Sequence, residues 1–229
     1  VVIGILIALQ VNNWNENRKD RESERMILSE IRDNLLYDLN DFDDNIAHLK
    51  NRLISCQTLL HAIETNISYH DSLGFCFSYL STFPHFSSKK NGYKLLQSKG
   101  IDLVVNDDLR NRITSLYDDR YQYLLTFERE QIDYIMLHLE DMMKPYFGND
   151  ELALNIIPKS FIKINSVQTL SKLGYFRNIR DYGKLKEDED FHSMIKRVEV
   201  ISAFLWTVHN SVKEETLELI QYIERVLQE

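Results

Sequence analysis

Glycine and proline, the residues that most often interrupt helices, are confined to a few short stretches of this chain. The sequence has seven glycines and three prolines in 229 residues. None of them lies within residues 5–73, 101–144 or 184–229. Because both residues are unfavourable in helix interiors, the sequence predicts three long helices joined by irregular connectors.

Apolar residues recur at alternating spacings of three and four in the first and last of these segments. This spacing indicates one helix face with a repeat close to seven residues, and strands, with a period of two, cannot produce it. The middle segment has a weaker stripe that Arg120 interrupts. The stripe of the first segment consists of Leu28, Ile31, Leu35, Leu39, Phe42, Ile46, Leu49, Leu53, Cys56, Leu60, Ile63 and Ile67.

Helices with such stripes need partners that bury them. The sequence therefore predicts an all-α fold, an antiparallel bundle of three long helices with shorter helices packed alongside. We expect this bundle to occupy residues 18–229 and to follow part of a transmembrane helix. Shorter helices are expected within residues 71–83, ending before Pro84, and within residues 166–179.

The N-terminal stretch is unusually apolar for a soluble protein. Residues 1–11 contain a single polar side chain, Gln10, and Trp14 follows where interfacial aromatic residues lie in membrane proteins. A spanning helix needs about 20 apolar residues. We therefore expect residues 1–17 to be the C-terminal part of a transmembrane anchor with its interface. A short buried core helix is the alternative.

Composition limits the classes of partner. The chain is 44% hydrophobic and 27% charged, as expected of a globular protein, and its net charge is −8. Since phosphate backbones attract clustered Lys and Arg, an excess of 35 acidic over 27 basic residues disfavours nucleic acid as a partner. Cys56 and Cys76 form no metal-binding pattern, and free thiols are the favoured interpretation over a disulfide.

Two stretches resemble a known family. VVIGILIALQVNNWNENRK (1–19) is similar to the anchor of a family of uncharacterised single-pass membrane proteins common in Bacteroidota. GYKLLQSKGIDLVVNDDLRNRITSLYD (92–118) resembles a second region of that family. The resemblance implies an inner-membrane protein with a single pass and a bundle domain in the periplasm. It implies no activity, and the basic residues Arg18, Lys19, Arg21 and Arg25 would by themselves favour a cytoplasmic domain.

The second of these stretches also has a physical interpretation. Gly100 suits a backbone conformation that other residues avoid, and Asn106 suits the cap of the helix that follows. Arg110 and Arg112 then lie near the start of that helix, where positive charge opposes the helix dipole. We expect both arginines to have carboxylate partners, or else to contact a ligand or a partner protein.

The sequence contains no recognisable catalytic or metal-binding motif. A single Glu-x-x-His, from Glu189 to His192, falls short of the two that a di-iron bundle needs. No cofactor and no metal are predicted. Aromatic residues between the first two long segments can line a ligand pocket or a contact surface, or simply close the bundle. The candidate contacts in this cluster are Phe75, Phe77, Tyr79, Phe83 and Phe86.

The functional prediction is a non-catalytic, membrane-anchored helical domain that acts as a scaffold, an accessory subunit or a sensor-like interaction module. Its expected partners are membrane lipid, through the N-terminal anchor, and another protein, with self-association as an option. The alternative is a small-molecule-binding domain that uses the aromatic cluster. An enzyme is the third and least favoured hypothesis, because it requires a buried group of titratable side chains in one cleft.

Overall fold

The computed structural model describes residues 2–147 and 179–228, which are mainly helical. Helix α1 is Val2–Glu64, α2 is Asp71–Leu80 and α3 is Asn91–Lys99, followed by a 3-10 turn at Ile101–Leu103. The middle helix comprises α4 (Asp107–Thr114), a π segment (Ser115–Arg120), α5 (Tyr121–Tyr134), a second π segment (Ile135–Leu139) and α6 (Glu140–Met143). Helices α7 (Tyr182–Lys186) and α8 (Glu189–Gln228) complete the described chain.

The predicted all-α fold is confirmed. Each segment that lacks glycine and proline forms one long helix or the near-continuous middle helix. The shorter helix expected before Pro84 is α2, whereas the one expected at residues 166–179 lies outside the described residues, except for its last residue. Within the described ranges there is no strand, and one isolated β-bridge joins Phe147 to Ile179.

The chain divides into two compact units. Unit 1 comprises Val1–Asp44, Phe86–Leu125 and His209–Glu229, and unit 2 comprises Asn45–His85 and Thr126–Val208. Helices α1 and α8 and the middle helix each contribute residues to both units.

Within unit 1, α8 runs antiparallel to α1, as predicted. Lys213 Nζ pairs with Asp43 Oδ1 at 2.5 Å, and Arg25 donates to the carbonyl of Leu227. Residue numbers therefore rise along one helix as they fall along the other, and this places the apolar stripes of both helices in one core.

The middle helix, by contrast, runs parallel to α1 in unit 1. Glu24 accepts the amide of Val105, just before the middle helix, at 3.0 Å. Further along both helices, Asp38 accepts the Tyr121 hydroxyl at 3.0 Å. The prediction of a fully antiparallel bundle is therefore wrong for this pair. The reason is that the connector before α3 runs back along α1, so the middle helix starts again from the same end.

Polar side chains of α1 hold this returning connector by its backbone. In unit 1, Asp38 Oδ1 accepts the Lys89 amide at 2.7 Å and Asp41 Oδ2 accepts the Ser87 amide at 2.9 Å. We call residues 86–90 the strap. An irregular segment has no helical hydrogen bonds of its own, and these acceptors satisfy its amides.

Unit 2 uses the same device. Asn45 Oδ1 accepts the His85 amide at 2.7 Å, and the fully buried Arg52 donates to the Leu80 carbonyl at the end of α2 at 3.0 Å. The apolar core of unit 2 includes Phe77 of α2, whose ring lies 5.1 Å from that of Phe147.

The start of α1 is apolar and exposed. The exposed fractions of its large apolar side chains range from 53% at Leu9 to 74% at Ile3, and Trp14 is 67% exposed. Over residues 2–147 and 179–228, none of the helices combines the length and apolar character that a membrane crossing requires.

Candidate functional site: a buried carboxyl among aromatic rings

A carboxyl group is fully buried in unit 1. The side chain of Asp38 is 0% exposed. Its Oδ1 accepts the Lys89 amide at 2.7 Å and its Oδ2 accepts the Tyr121 hydroxyl at 3.0 Å. Both donors are neutral groups, one from the strap and one from the middle helix. Asp38 therefore joins the strap, α1 and the middle helix at one point.

Aromatic rings pack around Tyr121, whose hydroxyl donates to Asp38. The Phe86 ring stacks on Phe42 with centroids 4.3 Å apart, and it packs at a steep angle to the Tyr121 ring with centroids 4.9 Å apart. Tyr117 packs against Tyr121 at 5.3 Å and stacks in parallel on Tyr93 at 4.5 Å. Rings of this kind exclude water but offer an ionised carboxylate little stabilisation.

Burial accordingly raises the pKa of Asp38 from 3.8 to about 7. The amide of Lys89 and the hydroxyl of Tyr121 oppose the shift, and the nearby charge of Asp41 adds to it. Burial also raises the pKa of Tyr117 and of Tyr121, and the charge of Asp38 raises both further. The Tyr117 hydroxyl is buried and has no hydrogen-bond partner among the residues that the structure describes.

This arrangement can bind and release a proton near neutral pH. A carboxyl group with an ordinary pKa would be ionised throughout that range. Because Asp38 is fully buried, the group is suited to holding a proton rather than to contacting a large substrate.

The aromatic residues predicted from sequence are divided between the units. Phe77 is fully buried in the core of unit 2, Phe83 packs partly buried against that core, and Phe75 is half-buried. The ring of the half-buried Tyr79 lies 5.9 Å from that of His48. Phe86 belongs instead to the Asp38 cluster in unit 1. Their role as ligand or partner contacts stays a prediction, and burial gives Phe77 and Phe86 a packing role.

Both predicted arginines have carboxylate partners. Arg110 bonds to Asp107 at 2.7 Å and Arg112 to Asp108 at 3.1 Å. The guanidinium of Arg112 also lies 5.5 Å from the centre of the Tyr222 ring. These partners offset the unfavourable position of the arginines near a helix start.

Both cysteines are free, Cys56 buried and Cys76 partly exposed. Burial raises the pKa of the Cys56 thiol to about 12, so it is not ionised at neutral pH. Within residues 2–147 and 179–228, no group of His, Cys, Asp and Glu side chains is arranged to hold a metal ion.

Unit 1 also has two clefts, of about 170 and 460 Å³. The smaller is lined by Arg112, Ser115, Leu116, Glu215, Glu218 and Leu219. The larger is lined by Arg21, Glu24, Arg25, Leu28, Val105, Asn106 and Val226. Neither lining pairs a serine or cysteine with a histidine, the arrangement that nucleophilic catalysis most often uses.

Sequence reasoning missed Asp38 because it followed only apolar residues. A signal was nevertheless present, since Asp38, Asn45 and Arg52 are spaced seven residues apart, each one position before a residue of the predicted stripe. Polar residues that keep the period of an apolar stripe are candidates for burial.

A protein-family model described as a family of unknown function matches residues 1–179, in agreement with the uncharacterised family expected from the sequence. No curated protein and no solved structure matches the chain. Because the family model covers well over half of the sequence, the chain belongs to DUF6090, a family of unknown function.

Proposed function

We propose that this protein is a membrane-attached helical module that acts without catalysis, as a scaffold, accessory subunit or sensor-like interaction partner. The segment at residues 2–14 of α1 would enter the bilayer of the inner membrane. The two units would lie in the periplasm, which is the side that the family resemblance implies.

One observation carries this proposal: exposed apolar side chains surround the start of α1 on every side. Successive helical residues are rotated by about 100°. Val2, Ile3, Ile5, Leu6 and Ile7 therefore point in different directions, and all are exposed. A partner helix or groove would cover only a stripe of such a surface, whereas lipid covers it on all sides. Arg18 and Lys19 follow Trp14, as expected where a helix leaves a membrane.

The continuity of α1 supports a sensor-like role. The helix runs without interruption for 63 residues, from the apolar segment through residues of both units. At about 1.5 Å per residue it is roughly 95 Å long. A rigid element of this kind can pass a change in either unit to the membrane-attached end.

Flotation with liposomes tests the attachment. The chain would be mixed in detergent with phospholipid, the detergent removed, and the vesicles centrifuged through a density gradient. We expect the wild-type chain to float with the lipid. The double variant Ile5→Asp, Leu9→Asp should stay at the bottom, because each charge placed in the bilayer opposes insertion by about 3 kcal/mol.

A matched pair of substitutions controls for charge. Asn51→Asp and Gln57→Asp add the same charge to exposed positions of α1 and should not prevent flotation. Circular dichroism would verify that both variants remain helical. A wild-type chain that stays at the bottom, or an I5D/L9D variant that floats like wild type, would exclude membrane attachment through this segment.

Sidedness requires a separate experiment in cells. Glu130→Cys places a thiol at an exposed position of α5. In intact cells with a permeabilised outer membrane, a membrane-impermeant thiol reagent should label this variant if the units are periplasmic. The chain without the added cysteine measures the background from Cys56 and Cys76. Labelling only after lysis would instead place the units in the cytoplasm.

A further inference from the structure

The strap has a buried attachment at Asp38. Lys89 donates its amide to Asp38, and Phe86, at the other end of the strap, stacks on Phe42. Asp41 holds the Ser87 amide between them. The state of one buried carboxyl therefore bears directly on how the strap is held against α1.

Among the charged groups around Asp38, the Lys89 ammonium attracts its carboxylate, but burial outweighs this attraction. From α1 itself comes Asp41, a like charge, and the strap contributes Lys89, whose Nζ lies 4.4 Å from the centre of the Tyr37 ring. The middle helix contributes the hydroxyls of Tyr117 and Tyr121. From α8, the His209 ring packs 5.9 Å from Phe42.

Protonation removes the buried charge of Asp38 without breaking its hydrogen bond with the Lys89 amide. A neutral carboxyl group keeps an oxygen that can accept the Lys89 amide, and it no longer places a charge among aromatic rings. Loss of the proton restores that charge. The folded protein can then lower its free energy by opening the strap and letting water reach Asp38.

We propose that Asp38 is a proton-binding site whose deprotonation loosens the strap, residues 86–90, from α1. The proposal goes beyond the proposed function by naming a ligand, the proton, and a segment that it releases, the strap. It does not depend on membrane attachment, so either proposal can fail without the other.

Proton linkage determines how strongly the opening of the strap depends on pH. In an opened strap Asp38 regains its ordinary pKa of 3.8, against about 7 in the closed form. The equilibrium constant for opening then rises about tenfold per pH unit between these values and levels off above about pH 7. Since amide exchange with solvent also accelerates about tenfold per pH unit, an amide released by this opening has a double dependence on pH.

Hydrogen exchange of the Lys89 amide, followed by NMR on the full chain in detergent micelles, tests the proposal. Between about pH 5 and about pH 7, the logarithm of its exchange rate should rise with a slope of about two, falling to about one above that range. Asp38→Asn mimics the protonated form and should give a slope of about one throughout. Asp41→Asn, which also alters a contact to the strap, should keep a slope of about two, although loss of the Asp41 charge moves the upper end of this range to lower pH.

A second measurement does not depend on any variant being folded. In wild-type protein labelled with ¹³C at the aspartate carboxyl carbons, one resonance should titrate near neutral pH, apart from the others. If all aspartates titrate in the ordinary acid range, the proton site does not exist. If one titrates near neutral pH but the Lys89 amide keeps a slope of one, the site exists and the release of the strap is wrong.

Discussion

At the scale of single residues, the glycine at the start of α3 is required by a close approach. A Cβ added to Gly92 would lie 2.7 Å from the backbone nitrogen of Ile31 and 2.9 Å from its Cγ1. The Gly92 amide also donates to Asn34 Oδ1 at 3.1 Å, so a hydrogen bond holds α3 against α1 beside this close approach. Backbone cannot move aside as the end of a flexible side chain can.

We predict that Gly92→Ala destabilises the protein by about 1–3 kcal/mol, because α3 must shift away from α1. Gly183→Ala is the matched control, since its added Cβ would meet only Asp181 Oδ1, at an ordinary 3.6 Å. That variant should remain within about 0.5 kcal/mol of wild type. Urea unfolding in micelles, followed by circular dichroism, gives both values. Equal stabilities would contradict the role assigned to Gly92.

At this scale the sequence predicted some of the special residues and missed another. It predicted that Gly100 would take a conformation that other residues avoid, and the φ of +105° confirms this. It also predicted the carboxylate partners of Arg110 and Arg112, since both arginines lie where the helix dipole is unfavourable. It did not identify Asp38, because a single carboxyl on a helix shows its burial only when the returning connector is placed.

At the scale of elements, seven of the twelve residues of the predicted α1 stripe are buried and five are not. Leu53 and Leu60 are half-buried, and Ile67 is exposed and lies beyond the end of α1. Leu35, Phe42 and Leu49 are buried as expected. Leu39 and Ile46, however, are only half-buried, and the positions before them, Asp38 and Asn45, lie in the core instead. Apolar periodicity cannot show this, since the polar residues are buried by binding the backbone of the connector.

The start of the middle helix provides a test at this scale. Asn106 Oδ1 accepts the amide of Leu109 at 3.0 Å, which satisfies one of the free donors of the first turn. We predict that Asn106→Ala destabilises the protein by about 1 kcal/mol, whereas Asn106→Asp, which keeps the acceptor, has little effect. Urea unfolding of the two variants measures the difference. If alanine and aspartate are equally tolerated, the cap contributes nothing to stability.

The direction of the middle helix could not be predicted from the sequence. A stripe establishes that a helix is packed but not against which side of its neighbour or in which direction. Here the direction follows from the connector, which returns along α1 because Asp38 and Asp41 accept its amides. The same polar side chains that escaped sequence reasoning therefore determine the part of the topology that it predicted wrongly.

At the scale of the whole molecule, stability should depend on pH through opposing groups. Asp188 accepts a hydrogen bond from Tyr146 and another from the Phe191 amide, and these bonds lower its pKa. Its contribution to stability is present above its ordinary pKa and is lost as pH falls. Asp38 acts in the opposite direction. Because folding raises its pKa, the folded state binds its proton more tightly, and stability falls as pH rises from about 4 to about 7.

We predict that the free energy of unfolding of the wild-type protein decreases over this range relative to that of Asp38→Asn. A pKa raised from 3.8 to about 7 corresponds to at most about 4 kcal/mol between these limits. Above about pH 7 the difference should stay constant. Urea unfolding of both proteins in micelles at a series of pH values measures it, with Asp44→Asn, an exposed position on α1, as the control that should follow wild type.

The size of this difference in unfolding free energy also indicates how far the strap opens. If the strap opens when Asp38 ionises, the folded state escapes the full penalty, and the loss of stability is limited to the free energy of opening. A difference near the maximum would mean that the strap of the ionised form is closed most of the time and opens only in a minor population, which amide exchange detects. A smaller one that levels off before pH 7 would mean that opening costs less than burying the charge. Parallel curves for wild type and Asp38→Asn would show that Asp38 has an ordinary pKa in the folded protein.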